Sequence, residues 1–421
     1  MNKLLEQSLR ILAGRMSVSF VSVLFTVYFA YVLDKATFAL IALYTTLSTL
    51  AQVVIDLGLS YKVIREAPAL MNAGKTDEAM RTIIFPSVFL RIAASLIVLI
   101  VIFLFFFFIR AHFTQTFPDL SAPYILTIAG FSIFFECLST ISIQLFQIRR
   151  QFGLNSILNG SAQTLENILA TILYIYAGMN HYFTGVLLAQ GAIALLRFWF
   201  VRQLLAWYPH EVRMKTMRPM LKYYFPMYVR RFFRFGFLQG EQLLVALMLP
   251  LEQVANFNLA KRFSKYMKAY LEAFSDPLSV RLSRTRDISV RQQYQKTFYM
   301  FTIPVPLILA ILSPWIMKYG GGEKYADYWP ILSILFVSYS ISALSIFQFT
   351  VVTILGQPQE ALKRDVIGSI TGLSATFALI WFYGEYGLAW GQVITYLTLY
   401  ITGYHISQKY LRNQDSVHTT L

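Results

Sequence analysis

Hydrophobic positions run through this chain in blocks of about twenty residues, separated by short polar stretches rich in lysine and arginine. The run from Ile92 to Ile109 carries no charge and is bracketed by Arg91 and Arg110. A helix of that length crosses the hydrocarbon core of a bilayer, satisfying its own backbone hydrogen bonds on the way. The pattern predicts about twelve such helices. They fall roughly at 11–32, 37–58, 83–109, 123–147, 156–178, 183–205, 223–249, 254–278, 297–316, 329–353, 366–383 and 387–406. The expected fold class is an all-α polytopic membrane protein. The first hydrophobic stretch follows Lys3 and Arg10 and shows no small-residue cleavage site, so it reads as the first span rather than a removable leader.

Charge then orients the chain. A net charge of +15 would suggest nucleic acid in a soluble protein. Here most of it lies in alternate loops: 59–82, 148–155, 206–222, 281–296 and 354–365, together with both termini. The opposite loops hold only Lys35, Arg110, Lys318 and Lys324. Basic loops remain on the cytoplasmic side, so both termini are expected there and no nucleic-acid partner is called for. The strongly basic segments 206–222 and 281–296 must share a side. An even number of crossings therefore separates them, and the apolar stretch from Gln242 to Leu249 favours two.

Those two spans are unusual. Between Pro226 and Pro277 they carry Arg230, Arg231 and Arg234, then Lys261, Arg262, Lys265 and Lys268. Charge at bilayer depth is costly and marks water-filled cavities or substrate paths. Lys261, Lys265, Lys268, Glu272 and Asp276 recur at helical spacing and so line one side of a helix. Arg230, Arg234 and Glu241 form a shorter stripe of the same kind. Together they predict a central cationic cavity that attracts an anion, with pairs such as Lys268 and Glu272 partly neutralising each other. Arg15 lies a turn into the first span, where snorkelling to the interface accounts for it; Arg91, about two turns into the third, reads equally as cavity lining or as snorkelling. The acids within spans are Glu136, Glu166, Glu241, Glu272 and Asp276. Each is a potential site for a coupling proton or sodium ion, with Glu241, Glu272 and Asp276 the leading candidates.

The segment Ala30 to Leu43 aligns with Leu247 to Ala260, each a tight turn between two helices. Six spans, a basic linker and six more form a repeat plan used by transporters. The expected organisation is an N-terminal lobe over 1–205, a cytoplasmic linker over 206–222, a C-terminal lobe over 223–406 and a tail over 407–421. The two lobes are expected to be pseudo-symmetric, six helices each, around the cationic cavity.

Three stretches carry a family likeness: Asp56 to Glu66 (DLGLSYKVIRE), Pro226 to Leu249 with Glu241, and Leu355 to Gly368 (LGQPQEALKRDVIG). The chain resembles the Wzx-like polysaccharide and O-antigen flippases of the multidrug/oligosaccharidyl-lipid/polysaccharide (MOP) exporter superfamily. It departs from them where Phe38 and Ala255 stand at positions that relatives often give to glycine. The resemblance implies a flippase that moves an anionic undecaprenyl-pyrophosphate-linked oligosaccharide across the bacterial cytoplasmic membrane by alternating access. Its partners would be that polyprenyl-pyrophosphate-linked glycan, membrane lipids and a polysaccharide polymerase or assembly complex. Within the first stretch, Asp56, Gly58 and Arg65 read either as a charge clamp, a gate at the cytoplasmic face, or as a plain helix terminus. Gly356 and Pro358 read as a helix stop and loop start.

Catalytic groupings are missing. The five histidines are scattered, and there is no HExxH, GxSxG or phosphate-binding glycine loop. The single cysteine, Cys137, excludes a disulfide framework or a thiolate metal site. A membrane enzyme acting on the same carrier would need a larger extramembrane domain, so no enzyme and no cofactor beyond a coupling H+ or Na+ is expected. A drug exporter would want an acidic cavity, and a lipid II flippase would carry further spans. The stretch Gly320 to Tyr328, with Lys324 and Tyr325, reads as a flexible hairpin outside the membrane.

Overall fold

A computed structural model describes residues 21–59, 73–116, 122–148, 152–202, 248–285, 288–355 and 358–418, with scattered positions within 12–72 and 225–233. Among the described residues the chain is helical throughout, without a strand. In chain order the helices are α1 (Val21–Val32), α2 (Lys35–Asp56), α3 (Phe85–Thr116), α4 (Ala122–Ile148), α5 (Phe152–Ala177) and α6 (Met179–Val201). They continue with α7 (Leu251–Thr285), α8 (Ile288–Thr302), α9 (Pro304–Gly321), α10 (Trp329–Leu355), α11 (Pro358–Tyr383) and α12 (Glu385–His418). Among the described residues, five segments are long and apolar enough to cross a membrane: Thr76–Val101, Met179–Val201, Gln295–Gly321, Trp329–Phe349 and Gln359–Tyr383. Pro358 opens α11 rather than a loop, as a proline can at a first helical position.

The helices form two compact units. A middle unit comprises 44–232, and a flanking unit comprises 1–43 with 233–421, so the chain passes from one to the other within α2. In the middle unit α6 packs along both α4 and α5, and α3 packs on α4. Ile55, Met80, Ile83, Ile133, Ile141 and Phe146 are buried together in its core. Phe89, Ile97, Ile100 and Leu104 of α3 remain exposed, an apolar strip suited to lipid. In the flanking unit α12 packs along α10 and α11, and α10 also meets α7 and α9.

Both units contain a hairpin joined by one glycine. Gly178 (φ +79°) links α5 to α6, and Gly384 (φ +56°) links α11 to α12; each adopts a backbone conformation that side chains disfavour. Helix contact is correspondingly close. A methyl group added at Gly387 would lie 2.2 Å from the Leu379 carbonyl oxygen, and one at Gly185 would lie 2.6 Å from that of Leu169.

Candidate functional site

Helix α7 has two unlike faces. Leu259, Ala260, Phe263, Met267, Leu271 and Phe274 are buried, and the helix packs against α10 and α12. Lys261, Arg262 and Lys268 are half-buried and Lys265 is exposed. Asp276 lies on the same helix at the next position of the row. Two of these cations lie against aromatic rings and one pairs with a carboxylate. The Lys261 ammonium sits 5.7 Å from the Phe257 ring centroid, and the Arg262 guanidinium 4.9 Å from that of Phe38. Ring faces attract cations in such positions. Lys268 Nζ approaches Glu272 Oε1 at 3.9 Å, with both side chains near 40% exposed (42% and 39%). An exposed pair at that separation contributes little to stability. Chemically, this face offers an anion several point charges and one planar donor fork.

Other predicted residues are distributed differently. Arg230 is half-buried and belongs to the middle unit. Arg15, Arg65, Arg231, Arg234 and Glu241 lie outside the described residues. Arg91 lines no open surface: it is 2% exposed, and its Nη2 lies 2.9 Å from Asp56 Oδ1 while its Nη1 donates to Gln144 Oε1 at 2.6 Å. A chain terminus or interface does not provide such partners; three helices converge on this guanidinium. Asp56 thus forms an ion pair with Arg91, and Arg65, its expected neighbour, lies outside the described residues. The tight turn expected there is present, with α2 ending at Asp56 and both Leu57 (φ +48°) and Gly58 (φ +73°) left-handed.

Two buried arginines escaped the sequence reading. Arg197 of α6 donates to Ser139, to the Leu158 carbonyl at 3.2 Å and to Asn159 Oδ1 at 2.6 Å, joining α4, α5 and α6. Its position inside an apolar span was the available signal. Arg364, counted among loop cations, is 4% exposed in α11. Its Nε donates to the Leu399 carbonyl at 3.0 Å, and it reaches Ser345 and Asp365 as well. Loop position in the sequence disguised it, because α11 starts six residues before it, at Pro358.

The stretch from Gly320 to Tyr328 is a pinned turn, not a flexible hairpin. Lys324 Nζ donates to the Leu33 carbonyl at 2.6 Å, and Tyr31 Oη donates to the Tyr319 carbonyl at 3.0 Å. Lys35 Nζ lies 4.8 Å from the Tyr328 ring centroid. Burial lowers the Lys324 ammonium from its usual range, and burial raises the Tyr325 phenol. At Asp34, burial is outweighed by hydrogen bonds from the Thr37 side chain and backbone, so the carboxyl shifts down. Glu385, the first residue of α12, is pushed up to about 7 by burial, against the Asn256 amide and Lys35. Among the described residues no group of three His, Cys, Asp or Glu is placed to hold a metal.

The fold is that of the MOP-superfamily transporters. A multidrug-resistance MATE transporter of that superfamily in an inward-facing conformation superimposes with TM-score 0.77 at 12% identity, covering 96% of this chain and 99% of its own. The lipid II flippase MurJ in an inward closed conformation gives 0.72 at 16%, covering 98% and 93%. A MOP transporter from Pyrococcus furiosus, described as having a binding pocket of reversed polarity, gives 0.69 at 11%, covering 96% and 94%. Comparison with curated proteins finds no match. The profile of the family described as "Polysaccharide biosynthesis protein" matches residues 4–276. The chain belongs to that family, and it is a multi-pass membrane protein.

Proposed function

We propose that this protein is a flippase that carries an anionic, polyprenyl-pyrophosphate-linked oligosaccharide from the inner to the outer face of the bacterial cytoplasmic membrane. The observation that carries the reading is the basic face of α7: Lys261, Arg262, Lys265 and Lys268 on one long helix. A pyrophosphate with attached sugars is too polar to cross hydrocarbon unaided, and this face supplies the opposite charge. Family membership supports a role in polysaccharide assembly, and the fold is one that a lipid II flippase also uses.

In this reading the lobes of 1–205 and 223–406 rock about the 206–222 linker. Arg15, Arg230, Arg231 and Arg234 add to the cationic path, Asp56 and Arg65 gate it, and both termini face the cytoplasm. Without a nucleotide motif, transport draws on an ion gradient of H+ or Na+. A polysaccharide polymerase or assembly complex would take over the product.

The test is surface-glycan display in a host deleted for this gene. Complementation by wild type, but not by Lys265→Glu/Lys268→Glu, with lipid-linked repeat units accumulating inside, is expected. Normal display in the deleted host would remove the flippase reading. Repeat units outside but unpolymerised would point to an enzyme acting on the carrier.

A further inference from the structure

Within the middle unit, α2 and α4 face each other through polar side chains at a fixed interval. Tyr44, Ser48, Gln52 and Asp56 follow every four residues on α2, and Ser132, Glu136, Thr140 and Gln144 do so on α4. That spacing keeps each set on one face. The rungs pair in order. Tyr44 Oη donates to Ser132 Oγ at 2.6 Å, and Ser48 Oγ donates to Glu136 Oε2 at 2.7 Å. The Gln52 side chain also hydrogen-bonds Glu136. Next, Gln52 and Thr140 line a pocket with Ile55, Asp56, Arg91 and Cys137. Asp56 and Gln144 close the series on Arg91. At 1.5 Å per residue the ladder extends about 18 Å along α2.

Polar contacts between spans serve as glue, and that accounts for most rungs. It does not account for Glu136. The Asp56 rung is neutralised by Arg91, whereas the partners of Glu136, Ser48 and Gln52, are neutral donors. Of the titratable groups nearby, Tyr44 on α2 interacts electrostatically with Glu136, and also with Glu166 on α5 and Tyr182 on α6; Cys137 follows Glu136 on its own helix. Of the unit's buried cations, Arg91 of α3 is engaged by Asp56 and Gln144. Arg197 of α6 is engaged by Ser139, Leu158 and Asn159. A serine hydroxyl donates to a carboxylate and accepts from a carboxylic acid equally well. When a proton arrives, the Glu136 hydroxyl donates to Ser48 Oγ. The Ser48 hydrogen then turns to the Tyr44 carbonyl, one helical turn back. The Ser48–Glu136 contact survives both states, with one proton gained or lost and only the Ser48 hydroxyl reoriented.

We propose that Glu136 is a proton-binding site, loaded and unloaded through the polar ladder and its pocket at the Gln52–Asp56 end. This deepens the flippase reading, on which it rests, by naming the coupling ion as H+ and assigning it to α4 of the middle unit. Donors, not a shell of oxygen acceptors, are aimed at the carboxylate, which fits a proton better than sodium.

The experiment is pH-difference infrared spectroscopy of the full-length protein in lipid nanodiscs, alongside glycan display. Acidification of wild type should raise a protonated-carboxyl C=O band that is absent in Glu136→Gln and shifted in frequency in Ser48→Ala, which keeps the acid but loses its hydroxyl partner. Glu136→Asp should restore the band and glycan display. Identical wild-type and Glu136→Gln spectra would overturn the proposal, as would a band that sodium displaces at constant pH. Should Glu136→Gln fail to accumulate, an unshifted band in Ser48→Ala overturns it equally. If the deleted host displays glycan normally while the Glu136 band persists, the flippase reading fails and the proton site stands.

Discussion

At the scale of single residues, the arginines divide by what surrounds them. Arg91 and Arg197 are spent on the interior, and their guanidiniums join helices through side-chain and carbonyl acceptors. The Lys261–Lys268 row faces outward from its helix. Burying an ion pair is expensive and breaking one is worse, because the partner is left charged and dry. Arg91→Ala should therefore destabilise the protein by about 3–5 kcal/mol, whereas Arg91→Met combined with Asp56→Leu should regain most of that. Thermal unfolding of wild type and the two variants in detergent tests both expectations. A single mutant as stable as wild type would show that the pair carries no stability. Sequence placed Arg91 between two roles because hydropathy registers a charge in a span but not its partner. Asp56 stands 35 positions upstream and reads only as a helix terminus until α3 folds against it.

At the scale of helices, span positions and their all-α nature were legible, since an apolar block of fixed length has few alternatives in lipid. The polar ladder was legible in part: the every-fourth-residue recurrence from Tyr44 to Asp56 is visible on the page. Which helix it would face was not, because pairing is a tertiary choice. Close contact between helices was likewise hidden, as glycine looks the same in a turn and in a packed face. The atoms in the way separate these cases. At Gly387 an added methyl meets the backbone of Leu379, at 2.2 Å from its oxygen, whereas at Gly368 it meets the end of the Leu399 side chain at 2.3 Å. Backbone cannot step aside and a leucine terminus can. Gly387→Ala should lower the melting temperature clearly more than Gly368→Ala, by a difference of about 1–3 kcal/mol in stability. Equal losses would mean that the α11–α12 contact yields as a whole.

At the scale of the whole molecule, the expected topology meets a convenient chemical fact: the only cysteine, Cys137, is buried. In a Cys137→Ser background, cysteines placed at Lys75 and at Glu323 should react from opposite sides of the membrane, the latter with an impermeant reagent added to intact cells. Both side chains are more than half exposed, at 61% and 83%. Labelling of both from one side would overturn the charge-based orientation. Arg364 adds a matter of timing. Its acceptor at Leu399 is made 35 residues later than the arginine itself. At about 5–20 residues per second, a ribosome takes a few seconds to supply it. During that interval Arg364 has Ser345 and Asp365 within reach but not yet its Leu399 acceptor. Gly384 folds the two helices back on each other in one residue. Biosynthesis of the last two spans is therefore a joint event, in which α11 settles only when α12 arrives beside it.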